Sequence, residues 1–128
     1  MSDGPSRPTD AELEILTVLW SIGPATVREV HNVISRGRTA QYSTVLKFMQ
    51  IMTEKGLVHR DEKQRAHIYT AAKPREWTQR QLAGDLLERA FSGSAKALLI
   101  GALSARKATK AELAEMQKLL DGYRKGEK

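Results

Sequence analysis

From Thr9 onward, apolar residues recur every three or four positions in three short runs, then alternate briefly, then return to helical spacing as far as Tyr123. The first run is Leu13, Leu16 and Leu19-Trp20. It opens on Thr9-Asp10-Ala11-Glu12, a capping box whose two side chains satisfy free amides at a helix start. Gly23-Pro24 stops it. Thr26-Val27-Arg28-Glu29 repeats the device, and Val27, Val30, Val33 and Ile34 give a second helix one apolar face, ended by Gly37. After a short connection from Arg38, a third helix begins at Ser43 or the adjacent Tyr42. Val45, Phe48, Met49 and Met52 form its buried stripe, and Lys55-Gly56 ends it. Ser43, Lys47, Gln50 and Glu54 step by three or four and share another face.

Leu57-Val58-His59-Arg60 and His67-Ile68-Tyr69-Thr70 are rich in strand formers and flank the charged Asp61 to Arg65, the pattern of a hairpin with a solvated tip. Helical spacing resumes at Pro74, read as a first-turn proline, with Trp77, Leu82, Leu86-Leu87 and Phe91 on the buried side. Ser92-Gly93-Ser94 breaks it. A short apolar helix over 95–105 follows, then Thr109-Lys110-Ala111-Glu112, a third capping box, and a last helix carrying Leu113, Met116, Leu119-Leu120 and Tyr123. The expected organisation is a flexible arm over 1–8, a first domain over 9–73, a helical region over 74–125 and a frayed tail over 126–128.

Three helices and a hairpin in this order predict a mainly α fold: a winged helix-turn-helix followed by a C-terminal helical dimerisation segment. In that layout the third helix enters the major groove, which admits one α-helix. The candidate DNA-binding residues are Arg38, Gln41, Tyr42, Ser43, Thr44, Lys47 and Gln50 around this helix, and Lys63 and Arg65 at the hairpin tip. Ser43 and Thr44 can donate to phosphate or base, and the helix start favours an anion. Gln41 and Gln50 can read adenine or bridge through water. The simpler reading of each is an ordinary solvated polar face, and for Arg36 and Arg38 a charge meeting a helix C-terminus.

Composition changes this picture only in part. The 128 residues are 41% hydrophobic and 5% aromatic, so the core must be aliphatic. With no cysteine, disulfides, cysteine-zinc sites and thiol nucleophiles are excluded, which fits a reducing, cytoplasmic setting. No apolar run has the length of a membrane span, and Met1 to Pro8 does not read as a signal peptide. The net charge of +6 favours a polyanionic partner. Yet residues 1–72 carry nine Lys/Arg against eight Asp/Glu, and much of the excess lies in Lys107, Lys110, Lys118, Arg124, Lys125 and Lys128.

Trp20, Thr26-Val27-Arg28-Glu29-Val30, Tyr42-Ser43-Thr44-Val45, Glu54-Lys55-Gly56-Leu57-Val58 and His67-Ile68-Tyr69 together resemble the penicillinase-repressor (BlaI/MecI/CopY) family of bacterial regulators, over about Thr9 to Lys125. The resemblance implies a homodimeric repressor on a short palindromic double-stranded DNA operator, with the C-terminal helices joining the subunits. The apolar residues after Pro74 agree: Leu86, Leu87, Leu98, Leu99, Ile100, Leu113, Leu119 and Leu120 are hard to bury within three short helices, and either a second copy or the chain's own first domain must cover them. Three departures stand out. Antibiotic-responsive members are cut by a membrane sensor-protease pathway at an Asn-Phe bond. Ile100-Gly101-Ala102-Leu103 stands there instead, which weakens that expectation. The C-terminal cysteines of copper-responsive members are absent, and Ile51 replaces an Arg of the third helix.

No cofactor and no enzyme activity are expected. Walker, G-x-S-x-G, G-x-G-x-x-G and HExxH patterns are missing. His59 and His67 could approach across the hairpin with Asp61, short of a full ligand set, so they read as surface histidines. The alternative function is a winged-helix protein-interaction scaffold without sequence-specific DNA binding, which the near-neutral charge of 1–72 favours. Structured RNA is a further candidate partner.

Overall fold

The computed structural model describes residues 7–126. Most of the arm expected over 1–8, and Glu127 and Lys128 of the expected tail, lie outside the described residues. Among those described, the elements run α1 (Asp10–Ile22), α2 (Val27–Ser35), α3 (Tyr42–Lys55), β1 (Val58–Asp61), β2 (Ile68–Ala71), α4 (Arg75–Phe91), α5 (Ala95–Ala105) and α6 (Lys110–Arg124). They fall into two compact units, 1–82 and 83–128, with the division inside α4.

In the first unit, both capping boxes form as the spacing predicts. The hydroxyl of Thr9 accepts from the Glu12 amide and that of Thr26 from the Glu29 amide, and each glutamate reaches back to its cap. Gly23, at φ 85°, ends α1. Gly56, at φ 81°, ends α3 in the left-handed region, where the Leu57 amide donates to Met52 O and the Gly56 amide to Thr53 O. The aliphatic stripes of the three helices meet: Ile15, Leu16, Leu19, Val30, Ile34, Val45, Met49 and Met52 are buried together with Leu57, Val58 and Tyr69 of the hairpin. β1 and β2 pair antiparallel, Val58 opposite Ala71 and Asp61 opposite Ile68. Ala25 exchanges two backbone hydrogen bonds with Tyr69, at 3.0 and 2.8 Å, and so docks the α1–α2 connection against the hairpin.

Two ion pairs tie the helices. Lys55 Nζ, at the end of α3, donates to Glu12 Oε1 at 2.6 Å, and Glu12 is 2% exposed. Burial pushes the Glu12 carboxyl upward, but the hydrogen bonds from Lys55 and from the Thr9 amide outweigh it and hold it below its ordinary value. Arg38 donates to both carboxylate oxygens of Glu14, from Nη2 at 2.6 Å and from Nε at 3.2 Å. That hydrogen bonding lowers the Glu14 carboxyl and raises Arg38.

Three local expectations need correction. Pro74 precedes the first residue of α4, and its carbonyl accepts from the Trp77 and Thr78 amides; it stands at the cap and not inside the first turn. At α6 only half the box forms: Thr109 accepts from the Glu112 amide, with no return bond to the cap. Trp20 and Trp77, expected on the buried side, are only half-buried: Trp20 packs against the core, and both border the β2–α4 junction. The Trp20 indole donates to Lys73 O at 3.0 Å, Arg75 lies over its ring, and Lys73 lies over Trp77.

The second unit holds the end of α4, α5 and α6. Ser92 (φ 49°) and Gly93 (φ 79°) reverse the chain after α4, and Ser94 caps α5. A Cβ on Gly101 would stand 3.5 Å from the Phe91 ring, in ordinary van der Waals contact. Neither α5 nor α6 has a buried residue. Leu98 and Leu87 are half-buried, whereas Leu86, Leu99, Ile100, Leu103, Leu113, Leu119, Leu120 and Tyr123 are exposed. Leu99, Leu103, Leu113, Met116, Leu120 and Tyr123 line one apolar groove of about 420 Å³. No helix among the described residues is long and apolar enough to cross a membrane.

Candidate nucleic-acid interface

Successive residues of a helix are turned by about 100°, and this sorts α3 into a core side, an exposed side and two flanks. Val45, Met49 and Met52 point into the core. Ser43, Lys47, Gln50 and Glu54 lie opposite and are exposed, as the sequence predicts. Between these sectors run two flanks. On one, Gln41, Thr44 and Phe48 line a cleft of about 210 Å³ shared with Glu14 and Arg38. On the other, Tyr42 and Leu46 face the hairpin across a groove of about 410 Å³.

Among the described residues, the side chains of Ser43, Lys47 and Gln50 take part in no hydrogen bond or ion pair within the chain, and the same holds for those of Lys63 and Arg65 at the hairpin tip. Three other basic residues of the first unit are ion-paired. Lys55 is paired with Glu12, Arg38 with Glu14, and Arg60 with Glu62 at 2.7 Å. A hydrogen bond with the Tyr69 hydroxyl is the main reason Arg60 is raised above its ordinary value. The near balance of charge in residues 1–72 therefore includes three cations already paired, while Lys47 on α3 and Lys63 and Arg65 at the hairpin tip keep free side chains.

The candidates thus fall into three places. Ser43, Lys47 and Gln50 share the exposed side of α3, Thr44 stands on the flank beside them, and Gln41 and Tyr42 stand at its start. Lys63 and Arg65 sit at the tip joining β1 to β2. Arg38 is in the turn between α2 and α3, with its guanidinium committed to Glu14. Sequence reasoning missed Arg28, whose guanidinium lies 4.8 Å over the Tyr42 ring. It also missed His31, which meets the same ring edge-on at 5.8 Å and contacts Ala40 O at 2.8 Å through Nε2. Both sit on α2 and act across to α3, which no local spacing signals. His59 and His67 do not converge: His59 stands opposite Thr70, while His67 lines the groove beside Tyr69. No group of three His, Asp or Glu side chains suited to a metal ion occurs among the described residues.

A family model described as the penicillinase repressor matches residues 8–122. Two curated relatives, each a transcriptional regulator BlaI, come from Mycobacterium tuberculosis strains CDC 1551 / Oshkosh and ATCC 25618 / H37Rv. Each is 36% identical over 97 residues, which is 74% of this chain and 70% of the relative. Among solved structures, the solution structure of the DNA binding domain of the repressor BlaI superimposes with a TM-score of 0.50 at 25% identity, over 59% of this chain and 90% of that one. The order of three helices and a hairpin is thus a winged helix, and the chain belongs to the penicillinase repressor family.

Proposed function

We propose that the chain is a DNA-binding transcriptional repressor, not an enzyme, that acts in the cytoplasm as a homodimer on a palindromic operator. The observation that carries this reading is the exposed side of α3: the side chains of Ser43, Lys47 and Gln50 form no bond within the chain, and Arg65 of the hairpin tip, also unpaired, lines a groove with Tyr42 and Leu46 on the flank of the same helix. Family membership supports the DNA partner. In this reading α3 enters the major groove, Lys47 and Gln50 meet base edges, and Ser43 and Thr44 meet phosphate. Gln41 and Tyr42 border the backbone at the helix start. Lys63 and Arg65 take a neighbouring stretch of backbone. Arg38, held by Glu14, serves mainly to fix the turn that aims α3.

The second subunit is argued from the uncovered apolar surface. Fully burying a leucine returns about 1.5–3 kcal/mol. Eight large apolar side chains of the second unit are 37–68% exposed, so covering them would return on the order of 10 kcal/mol per subunit. That is comparable with the ~4–15 kcal/mol entropic cost of association. Leu86, Leu99, Ile100, Leu113, Leu119 and Leu120 supply the exposed surface, with Leu87 and Leu98 behind them.

Selection of bound sequences from random duplex tests the whole reading. The expected product is a palindrome with half-site centres about 34–36 Å apart. Retention of no duplex even at low salt would favour a protein-interaction scaffold. Preferential competition by structured RNA would redirect the assignment to that polymer.

A further inference from the structure

The groove between α2, the start of α3 and the hairpin carries chemistry beyond the candidate contacts already placed. It is lined by Thr26, Arg28, Tyr42, Leu46, Arg65 and His67, among others, with no carboxylate in its wall. The acidic residues closest to it in sequence are engaged elsewhere. Glu29 Oε1 accepts from the Thr26 amide at 2.8 Å and from its hydroxyl at 3.3 Å, Glu62 pairs with Arg60, and Asp61 accepts from the Lys63 amide. Arg28 and Arg65 stand at the groove from different elements, and neither has a carboxylate partner.

The Tyr42 ring is what organises it. His31 packs against its edge, and the contact of His31 with Ala40 O limits how that imidazole can turn. Arg28 lies over the same ring. A guanidinium on an aromatic platform loses rotamer freedom before any ligand arrives and keeps its planar donor fork, which suits the oxygens of a phosphate. Tyr42 and Leu46 flank the exposed sector of α3 on the side toward the hairpin. A duplex taking Ser43, Lys47 and Gln50 into its major groove would bring its sugar-phosphate edge over this flank.

We propose that Arg28 and Arg65 hold one backbone phosphodiester of the duplex in this groove, and that Tyr42 is a positioning residue which presents Arg28 to it. The inference rests on the DNA-binding reading above and adds Arg28 and the groove to it.

The test is equilibrium binding of the full chain to operator and to random duplex across a salt series. Arg28→Ala is expected to weaken both by roughly tenfold and to reduce the log–log salt slope by up to about 1.8, the signature of one lost phosphate contact in each subunit of the homodimer. Tyr42→Leu keeps the cation and removes its platform; it is expected to weaken binding by roughly threefold with the slope retained, whereas Tyr42→Phe keeps the ring and should bind almost like the parent. Arg28→Lys should keep the slope and lose part of the affinity. Arg28 is exposed, and an unchanged thermal midpoint will separate binding loss from misfolding. Unchanged affinity and slope in Arg28→Ala, with Lys47→Ala and Arg65→Ala still weakened, would overturn the phosphate seat and leave the DNA-binding reading standing. Equal loss in Tyr42→Phe and Tyr42→Leu would overturn the platform role. No duplex bound by the parent protein would remove both.

Discussion

Replacing Lys55 by Met is expected to destabilise the winged helix strongly at neutral pH and less in acid. The Glu12 side chain is 3% exposed and cannot regain water when its partner is lost. It accepts from Lys55 Nζ at 2.6 Å and from the Thr9 amide at 2.9 Å. Removing one partner of a buried pair costs about 3–5 kcal/mol. Two features moderate this. The Thr9 amide still bonds the carboxylate, and the Lys55 side chain is 25% exposed, so water can enter at its end. A loss of roughly 2–3 kcal/mol follows, a large share of the ~5–15 kcal/mol that holds a typical domain. In the parent protein Glu12 is held below its ordinary value, so its contribution is present above the unfolded-state value of about 4.3 and is lost as the pH falls through the lower folded value. Without Lys55, burial dominates and the sign reverses: the carboxyl is raised, and stability is lost as the pH rises through that value. The gap between the two proteins therefore shrinks from pH 7 to pH 4. Urea unfolding at one fixed protein concentration measures it, with Glu12→Gln and the double variant completing a cycle. A gap below about 0.5 kcal/mol, or one that widens in acid, would refute this account of the pair.

Gly56→Ala should cost about 1–2 kcal/mol in the same assay, because φ is 81° there although the space for a Cβ is open; an unchanged midpoint would contradict it. Thr26→Ala removes the acceptor of the Glu29 amide and should cost about 1 kcal/mol, read as a lower thermal midpoint. Lys47→Ala should reduce operator binding by roughly tenfold while leaving random duplex less affected, measured by gel shift. Leu120→Glu places a charge in the apolar groove of the second unit and should convert a dimer to monomer in sedimentation equilibrium with the fold of the first unit intact by circular dichroism.

The sequence reveals what is local. The boxes at Thr9 and Thr26 close within three residues, and the stop at Gly56 follows from one backbone angle, so spacing alone locates them. The exposed sector of α3 was legible because Val45, Met49 and Met52 fix its opposite side. The bond between Lys55 and Glu12 spans 43 positions and that between Arg38 and Glu14 spans 24; only the packing of three helices brings them together. The same holds for Arg28 on Tyr42 and for Ala25 on Tyr69. Pairing is equally hidden: counting charges in 1–72 cannot show that Lys55, Arg38 and Arg60 are bound to Glu12, Glu14 and Glu62.

Intermolecular NOEs between the labelled protein and a selected half-site duplex would test most directly whether α3 reads the groove. The account predicts contacts from the side chains of Lys47 and Gln50 to base protons of the major groove, and from Ser43 and residues 63–65 to sugars of the adjoining backbone. Base contacts from another face of the chain, with Lys47 and Gln50 still in solvent, would contradict it.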